Sequence, residues 1–258
     1  MLDLLCRPLP FNSVAVASGA ISNVGNVGGD RLGRAALIPS GISSFDVDLG
    51  ASVSVDTFAL LAGSFGTSDS WSVVGAATQA GLTSTQLFNS GALTALASPE
   101  GLGRVHRQAL HVRTATSVRW IRISVNVAAA MPIGRVVIGK RFEPLEGRDY
   151  GWAQRVLDLG ELQRSRQGLE SAIIRGKVQE FSWRWSGLSR DEAENQALEL
   201  MAYAGVTRDL LWCGDHTAAN RHNLLGFGKM AEPAVTENYA EGWYNLDCQL
   251  QSRLILAL

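Results

Sequence analysis

The spacing of apolar residues changes once within the second half of the chain. Over 179–186 the side chains alternate, so that Phe181, Trp183 and Trp185 share one face and polar residues share the other. This alternation is typical of a strand that buries one face. Large aromatic side chains on such a strand serve either as core or as anchors of a contact with another subunit, and the pattern leaves both roles open.

After Gly187 the spacing becomes helical. Ser189 and Glu192 have the spacing of a capping box, and Gly205 can end the helix in a left-handed conformation. Between them runs one apolar stripe, formed by Ala193, Ala197, Leu200, Met201 and Ala204. The pattern therefore predicts a single main helix over 189–204, next to a tryptophan-rich strand.

The first half of the chain reads as strand and turn. From about 11 to 139 short apolar alternations are separated by glycine and serine, and no helical pattern of useful length occurs. The stretch around Trp120 alternates, which places Val118 and Trp120 opposite Ile121, and we expect Trp71 and Trp120 to lie in the core. Short strands without intervening helices indicate an antiparallel sandwich.

The second half has a different composition. Residues 139–170 are richer in charge and predict a linker or a long arm with some strand. A strand over about 172–186, the helix, and further strands near 208–214 and 243–257 then follow. We predict a mainly β protein of two domains: an antiparallel jelly-roll sandwich over 1–142, and an α+β domain with one main helix over 143–258.

Charge and cysteine content exclude several classes of protein. The chain has 258 residues, 46% of them hydrophobic, and a formal net charge of -1 with both signs interspersed. The hydrophobic fraction is large enough for a buried core. The interspersed charges form no basic cluster that would bind nucleic acid or a membrane surface. The N-terminal stretch lacks the pattern of a secretory signal, so we expect folding in a cytoplasm. Cys6, Cys213 and Cys248 are odd in number and far apart, which favours reduced thiols.

One loop contains residue types that carry chemistry. Cys213, Asp215, His216 and His222 lie within ten residues and are types that bind zinc or form a nucleophile and base. Their spacing matches no usual zinc motif, and a polar hairpin loop explains them more simply. We therefore expect no enzyme activity, no metal and no cofactor.

The order of the first half resembles the discoidin-like, galactose-binding-like jelly roll. A loop over 21–41 precedes a strand with Val47 to Gly50, a strand with Val55 to Leu61 follows, and Arg119 to Ile123 belong to a later strand. This resemblance implies a sandwich whose loops at one end can hold a sugar. Asp30 and Arg31 lie in the early loop and are the candidate glycan-binding residues.

Two further segments resemble tail proteins of long-tailed bacteriophages. They are "PIGRVVIGKRFEP" at 132–144 and the strand, helix and strand of 178–215. In that family a sandwich precedes a domain related to the tail tube, and the resemblance implies a structural distal tail, or baseplate, protein at the tail tip of the virion, assembled in the host cytoplasm. The implied partners are copies of the chain in a ring, a hexamer or else a trimer, together with the tail tube, hub, tape measure and fibres.

The resemblance leads to one main hypothesis and one alternative. The main hypothesis is a ring that connects the tail tube to the central hub, with Phe181, Trp183 and Trp185 as the candidate contact between subunits. The alternative is a module that binds carbohydrate or a host receptor through the loop of Asp30 and Arg31. Neither hypothesis involves sequence-specific nucleic acid or insertion into a membrane.

Overall fold

The protein is mainly β, and its structure, a computed structural model, describes residues 2–96, 107–164, 170–173, 175–219 and 221–256. Contacts divide the chain into two compact units. Of the described residues, the sandwich unit comprises 6–96 and 107–141, and the helix unit comprises 2–5 and those from 142 onward. The sequence prediction placed all of 1–142 in the first domain, whereas in the structure residues 2–5 belong to the helix unit.

The strands are short except for a few long ones in each unit. In chain order they are β1 (Leu4–Cys6), β2 (Ser13–Ser18), β3 (Ala36–Ile38), β4 (Gly41–Gly63), β5 (Ser70–Ala76), β6 (Phe88–Asn89), β7 (Leu93–Thr94), β8 (Arg107–Val127), β9 (Met131–Ile133), β10 (Arg135–Gly139), β11 (Arg141–Phe142), β12 (Ala153–Asp158), β13 (Glu161–Arg164), β14 (Glu170–Ile173), β15 (Lys177–Ser189), β16 (Leu210–Cys213), β17 (Leu225–Met230), β18 (Val235–Ala240) and β19 (Trp243–Leu256).

Helical structure is sparse in the part of the chain that the structure describes. The sandwich unit has a 3₁₀ turn at Val24–Gly28 and one short helix, α1 (Gly81–Ser84). The helix unit has a π-helical stretch, Glu192–Ala197, that continues directly into α2 (Leu198–Ala204). None of these helices is long and apolar enough to cross a membrane.

The sandwich unit is built on two long paired strands. β4 and β8 pair antiparallel along their length, β5 extends the sheet beside β8, and β2 and β10 pair with different parts of β4. The small sheet β3–β9 supplies further residues to the same core. Register shifts interrupt the β4–β8 pairing at three places, and such irregularities bend and twist a sheet.

Trp71 is a core residue, as predicted, but Trp120 is not part of the main core. The pairing of β4 with β8 slips between Asp48 and Val53, so Val118 and Ile121 both contribute to the core although the simple alternation placed them on opposite faces. Trp120 instead packs, partly exposed, on a small separate cluster with Leu82. A local alternation pattern does not contain such a slip, and this explains the error.

The helix unit is one large sheet with the helix on one face. The strand order is β11-β1-β16-β17-β19-β15-β12, with β18 also paired to β19 and with β13–β14 as a separate hairpin. β15 and β19 pair antiparallel, so that Phe181 lies opposite Leu250 and Trp183 lies opposite Cys248. The predicted alternation of this strand is confirmed, since Phe181, Trp183 and Trp185 are all buried.

The predicted helix is also confirmed, with one difference. Glu192 accepts a hydrogen bond from the backbone N–H of Ser189 at 2.9 Å, and the Ser189 hydroxyl lies 3.4 Å from the N–H of Glu192, which is the reciprocal bonding of a capping box. Gly205 ends the helix with a φ of +47°, a conformation that glycine adopts readily and that residues with a side chain disfavour. The difference is the π-helical stretch, for which the spacing of apolar residues gave no signal.

A buried ion pair ties the first residues of the chain into the helix unit. Arg148 donates to Asp3 at 3.1 Å and to the carbonyl of Gly214, and its guanidinium lies over the Trp152 ring at 4.3 Å. Both charged side chains are almost fully buried. Burial raises the pKa of Asp3 to about 6 and lowers the pKa of Arg148, since a buried site disfavours each charged form.

Candidate functional site

In the sandwich unit, the backbone of the loop that carries Asp30 and Arg31 is hydrogen-bonded by an arginine side chain. Arg135 is largely buried and donates to the carbonyls of Gly28 and Gly29, while Asp30 is 3.7 Å from its guanidinium. The Asp30 side chain is 95% exposed, and Arg31 is exposed as well. The loop therefore presents two charged side chains on a fixed backbone, and their binding of a glycan stays a prediction.

The aromatic residues of β15 lie inside the helix unit. Trp183 stacks on Trp212 with ring centroids 4.8 Å apart, and Phe181 contacts the same ring at 4.5 Å. Helix residues cover this cluster. Because the three aromatic side chains of β15 have almost no exposed surface, any contact with a second copy would be made by other residues.

The loop around Cys213 is the polar hairpin connection that the sequence predicted. It joins the antiparallel strands β16 and β17, and Asp215 accepts hydrogen bonds from the backbone N–H and the hydroxyl of Thr217. Burial raises the pKa of the Cys213 thiol to about 12, which opposes thiolate chemistry. His216 lies 3.4 Å from Glu143, and the described residues contain no group of three or more metal-ligand side chains.

A groove of about 550 Å³ crosses the face of the β15–β19 pair in the helix unit. Its floor contains residues that face each other across the two strands, Ser182 with Gln249 and Arg184 with Asp247. One wall is the segment 149–152 and the other is the segment around 232–235. We call this cavity the β15–β19 groove.

The floor of the β15–β19 groove contains one paired cation and anion. Arg184 donates to both oxygens of Asp247, at 2.8 and 2.7 Å, and reaches Glu237 at 3.4 Å. The hydrogen bonds to Asp247 raise the pKa of Arg184, and the nearby carboxylates Glu237 and Asp149 add to that effect. Arg184 therefore stays a cation whose charge is already balanced.

The walls of the β15–β19 groove add an aromatic ring and two carboxylates. Tyr150 is fully exposed, Glu232 is exposed, and Asp149 accepts a hydrogen bond from the Ser186 hydroxyl. The Trp183 side chain points to the opposite face of the sheet, where its ring packs on Trp212. Sequence reasoning missed this site, because its walls come from segments about 80 residues apart and only the polar positions of β15 hinted at it.

A ribbon of two strands extends the β12–β15 pair. β13 pairs only with β14 in the described part of the chain, and every described residue of these two strands is exposed. Four apolar side chains along the ribbon and β12 are exposed as well: Val156, Leu159, Leu162 and Ile173. We call the described residues of this segment, 153–164, 170–173 and 175, the arm; the sequence predicted a linker or long arm at 139–170.

The arm is held together by exposed ion pairs. Arg175 lies 2.8 Å from Glu161, Arg164 contacts Glu170, and Lys177 lies 3.8 Å from Asp158. Exposed pairs of this kind contribute little stability, and a two-stranded hairpin without a core is marginal in water. The arm thus has exposed apolar side chains and weak internal support.

Comparisons with known proteins give no family for this chain. No family model and no curated protein matches it. Among solved structures, a fucose binding module of Streptococcus pneumoniae matches with a TM-score of 0.39 and 8% identity, over 52% of this chain and 96% of that one. The lectin domain of Lectinolysin complexed with Lewis B antigen matches with a TM-score of 0.37 and 13% identity, over 50% and 92%.

A third match is a truncated AlyQ with CBM32 and alginate lyase domains. Its TM-score is 0.38 at 13% identity, over 80% of this chain and 54% of that one. The three similar structures are thus carbohydrate-binding modules or contain one, and none of the three is a tail protein. At such identities and TM-scores they do not assign a function to this chain.

Proposed function

We propose that the chain is a structural subunit that assembles with copies of itself into a ring, as a component of a bacteriophage tail tip that joins the tail tube to the central hub. The observation that carries the proposal is the arm, whose apolar side chains are exposed rather than packed into a core of the described residues. Apolar side chains that are exposed on a segment outside the core support an interaction site on that segment. The sequence resemblance to tail proteins supports the location at the tail tip.

A second copy of the chain is the partner that the arm fits. The charges of the arm pair with one another, so the arm does not select a partner of opposite net charge. The same unit also offers a complementary edge: β18 pairs with β19 alone in the described part of the chain, and its Val235 and Tyr239 are exposed. An arm on one side and an open edge on another make a head-to-tail contact, which closes into a ring when the rotation per subunit allows it.

A charge placed on the arm tests this assembly. Leu162 is 80% exposed, so Leu162→Asp should leave the fold intact but bury a carboxylate at the contact. We expect the wild-type chain to form a closed ring of six or three copies, and the variant to dissociate at concentrations roughly tenfold higher or more. Mass photometry over a dilution series gives both the number of copies and the dissociation constant.

Leu145→Asp is the matched control, because Leu145 is 88% exposed in the same unit but lies outside the arm. It should assemble like the wild type. Circular dichroism must show the same melting temperature for both variants. The proposal would be contradicted by a wild-type chain that stays monomeric at high concentration and is absent from tailed particles.

Carbohydrate binding by the sandwich unit is the second candidate, favoured by one observation. Arg135 donates to the carbonyls of Gly28 and Gly29 directly before the loop residues Asp30 and Arg31, whose side chains are both exposed. We expect Asp30→Ala or Arg31→Ala to abolish binding on a glycan array if this loop holds the sugar. Binding that survives both changes would contradict the assignment.

A further inference from the structure

We infer that the β15–β19 groove of one copy of the chain binds the loop 30–34 of another copy through Arg31 and Arg34. This contact deepens the assembly proposed above, because it shares the second copy as partner, but it does not involve the arm. The groove has a volume of about 550 Å³, and its floor is the polar face of the β15–β19 pair, opposite the face on which Trp183 packs on Trp212.

The groove has an excess of negative charge. Asp149, Glu232 and Asp247 line it together with one cation, Arg184. Arg184 donates to both oxygens of Asp247 and is thereby balanced. The carboxylates of Asp149 and Glu232, one on each wall, have no salt bridge within the described part of the chain. The groove therefore attracts a cationic group and repels an anionic one.

The loop 30–34 presents two cations close together. Arg31 and Arg34 are exposed and form no salt bridge with any described residue, whereas Asp30 lies 3.7 Å from the guanidinium of Arg135. The N–H of Arg34 donates to the carbonyl of Arg31 at 3.0 Å, which closes a turn and keeps the two Cα atoms within roughly 7 Å. The most exposed arginines of the helix unit, in contrast, are paired with its own carboxylates: Arg155, Arg164, Arg175 and Arg190.

The chemistry of the walls favours arginine over a metal ion. A guanidinium can donate two hydrogen bonds to a carboxylate and can also stack on an aromatic ring. The Asp149 carboxylate and the fully exposed ring of Tyr150 are neighbours on one wall. The described residues contain no group of three or more side chains that could hold a metal. Two unpaired guanidiniums from one turn thus match two unpaired carboxylates, with a ring beside one of them.

The test uses the full chain with Leu162→Asp as the parent, so that the arm does not contribute. Sedimentation velocity measures self-association at about 0.01 M and about 1 M salt, where the Debye length is roughly 30 and 3 Å. We expect association at low salt that weakens about tenfold or more at high salt. Arg31→Glu/Arg34→Glu should weaken it about tenfold or more, because the loop then repels the groove. Asp149→Lys/Glu232→Lys should do the same from the groove side, and all four reversals together should restore association.

Lys140→Glu/Arg208→Glu is the matched control. Both residues are exposed and lie outside the loop and the groove, and the variant has the same net charge as the loop variant. It should associate nearly as well as the parent. Glu232→Lys alone changes an exposed side chain, so it should fold normally and weaken association by a smaller factor. Tyr150→Ala should weaken association about two- to fivefold, from the loss of the ring contact.

The inference is overturned if the Leu162→Asp chain stays monomeric at low salt, if its association does not depend on salt, or if the four reversals together fail to restore it. The ring is scored separately, on the chain with an intact arm. A ring that forms there unchanged by the loop variant would exclude the groove contact and keep the ring. Association that follows the charge reversals without any closed ring would keep the groove contact and exclude the ring.

Discussion

A Trp185→Ala variant is expected to lose about 3–5 kcal/mol from the free energy of unfolding of the helix unit. Trp185 is fully buried. Its ring meets those of Phe142 and Trp183 edge-on, with ring centroids 5.7 and 5.5 Å away, respectively. Alanine would leave a cavity between the sheet and the helix that the surrounding side chains can fill only in part. The lost free energy therefore has two parts: the hydrophobic free energy of burying the ring, and the van der Waals contacts that its neighbours made with it.

Urea unfolding followed by far-ultraviolet circular dichroism measures this loss without relying on tryptophan fluorescence. The two units can unfold separately, so the transition of the sandwich unit should keep its midpoint and serve as an internal reference. Trp243→Ala is the control, because Trp243 is about half exposed, and we expect it to cost less than about 1 kcal/mol. A loss as small as that for Trp185→Ala would contradict its place in the core.

An Arg148→Met variant is expected to be destabilised by about 3–5 kcal/mol at neutral pH. The change leaves the Asp3 carboxylate buried without its partner and removes the hydrogen bond to the carbonyl of Gly214. In the double variant Asp3→Leu/Arg148→Met no buried charge is left unpaired. It should therefore recover much of the stability that the single variant loses.

Asp3 also gives this second experiment a pH dependence with a defined sign. Its pKa in the folded chain, about 6, lies above the ordinary value of 3.8, so the folded state binds the extra proton between these two values. Stability from this residue is then full below the lower value and is lost as the pH rises through about 6. Urea midpoints at several pH values should show that slope in the wild type and a flatter curve in the double variant. A double variant as unstable as Arg148→Met would contradict the role of the pair.

Local patterns predicted the parts of the fold that depend on local spacing. The alternation around Trp183 and the capping pair Ser189 and Glu192 are properties of a few adjacent residues, and both are present in the structure. The burial of Trp71 also follows from local alternation. Local alternation does not predict which side of the sheet Trp120 occupies, because this depends on a register shift between two strands about 70 residues apart.

The candidate sites depend on contacts between distant segments. Asp3 meets Arg148 across 145 positions, and no spacing rule connects them. The β15–β19 groove needs the register of the two strands together with both wall segments. Only Asp30 and Arg31 were named from the sequence as a sugar site, and the structure shows their exposure rather than their ligand.

The position of β1 has a consequence for how the chain folds during synthesis. β1 lies between β11 and β16 in the sheet of the helix unit, yet about 200 residues separate it from β16. At about 5–20 residues per second, a ribosome needs roughly 10–40 s to deliver that partner. The residues of the sandwich unit are nearly contiguous and emerge within this interval, so the sandwich can fold first, while the edge of β1 that faces β16 waits unpaired. Pairings over such distances close slowly, and a chaperone that shields this edge of β1 would have its effect in this window.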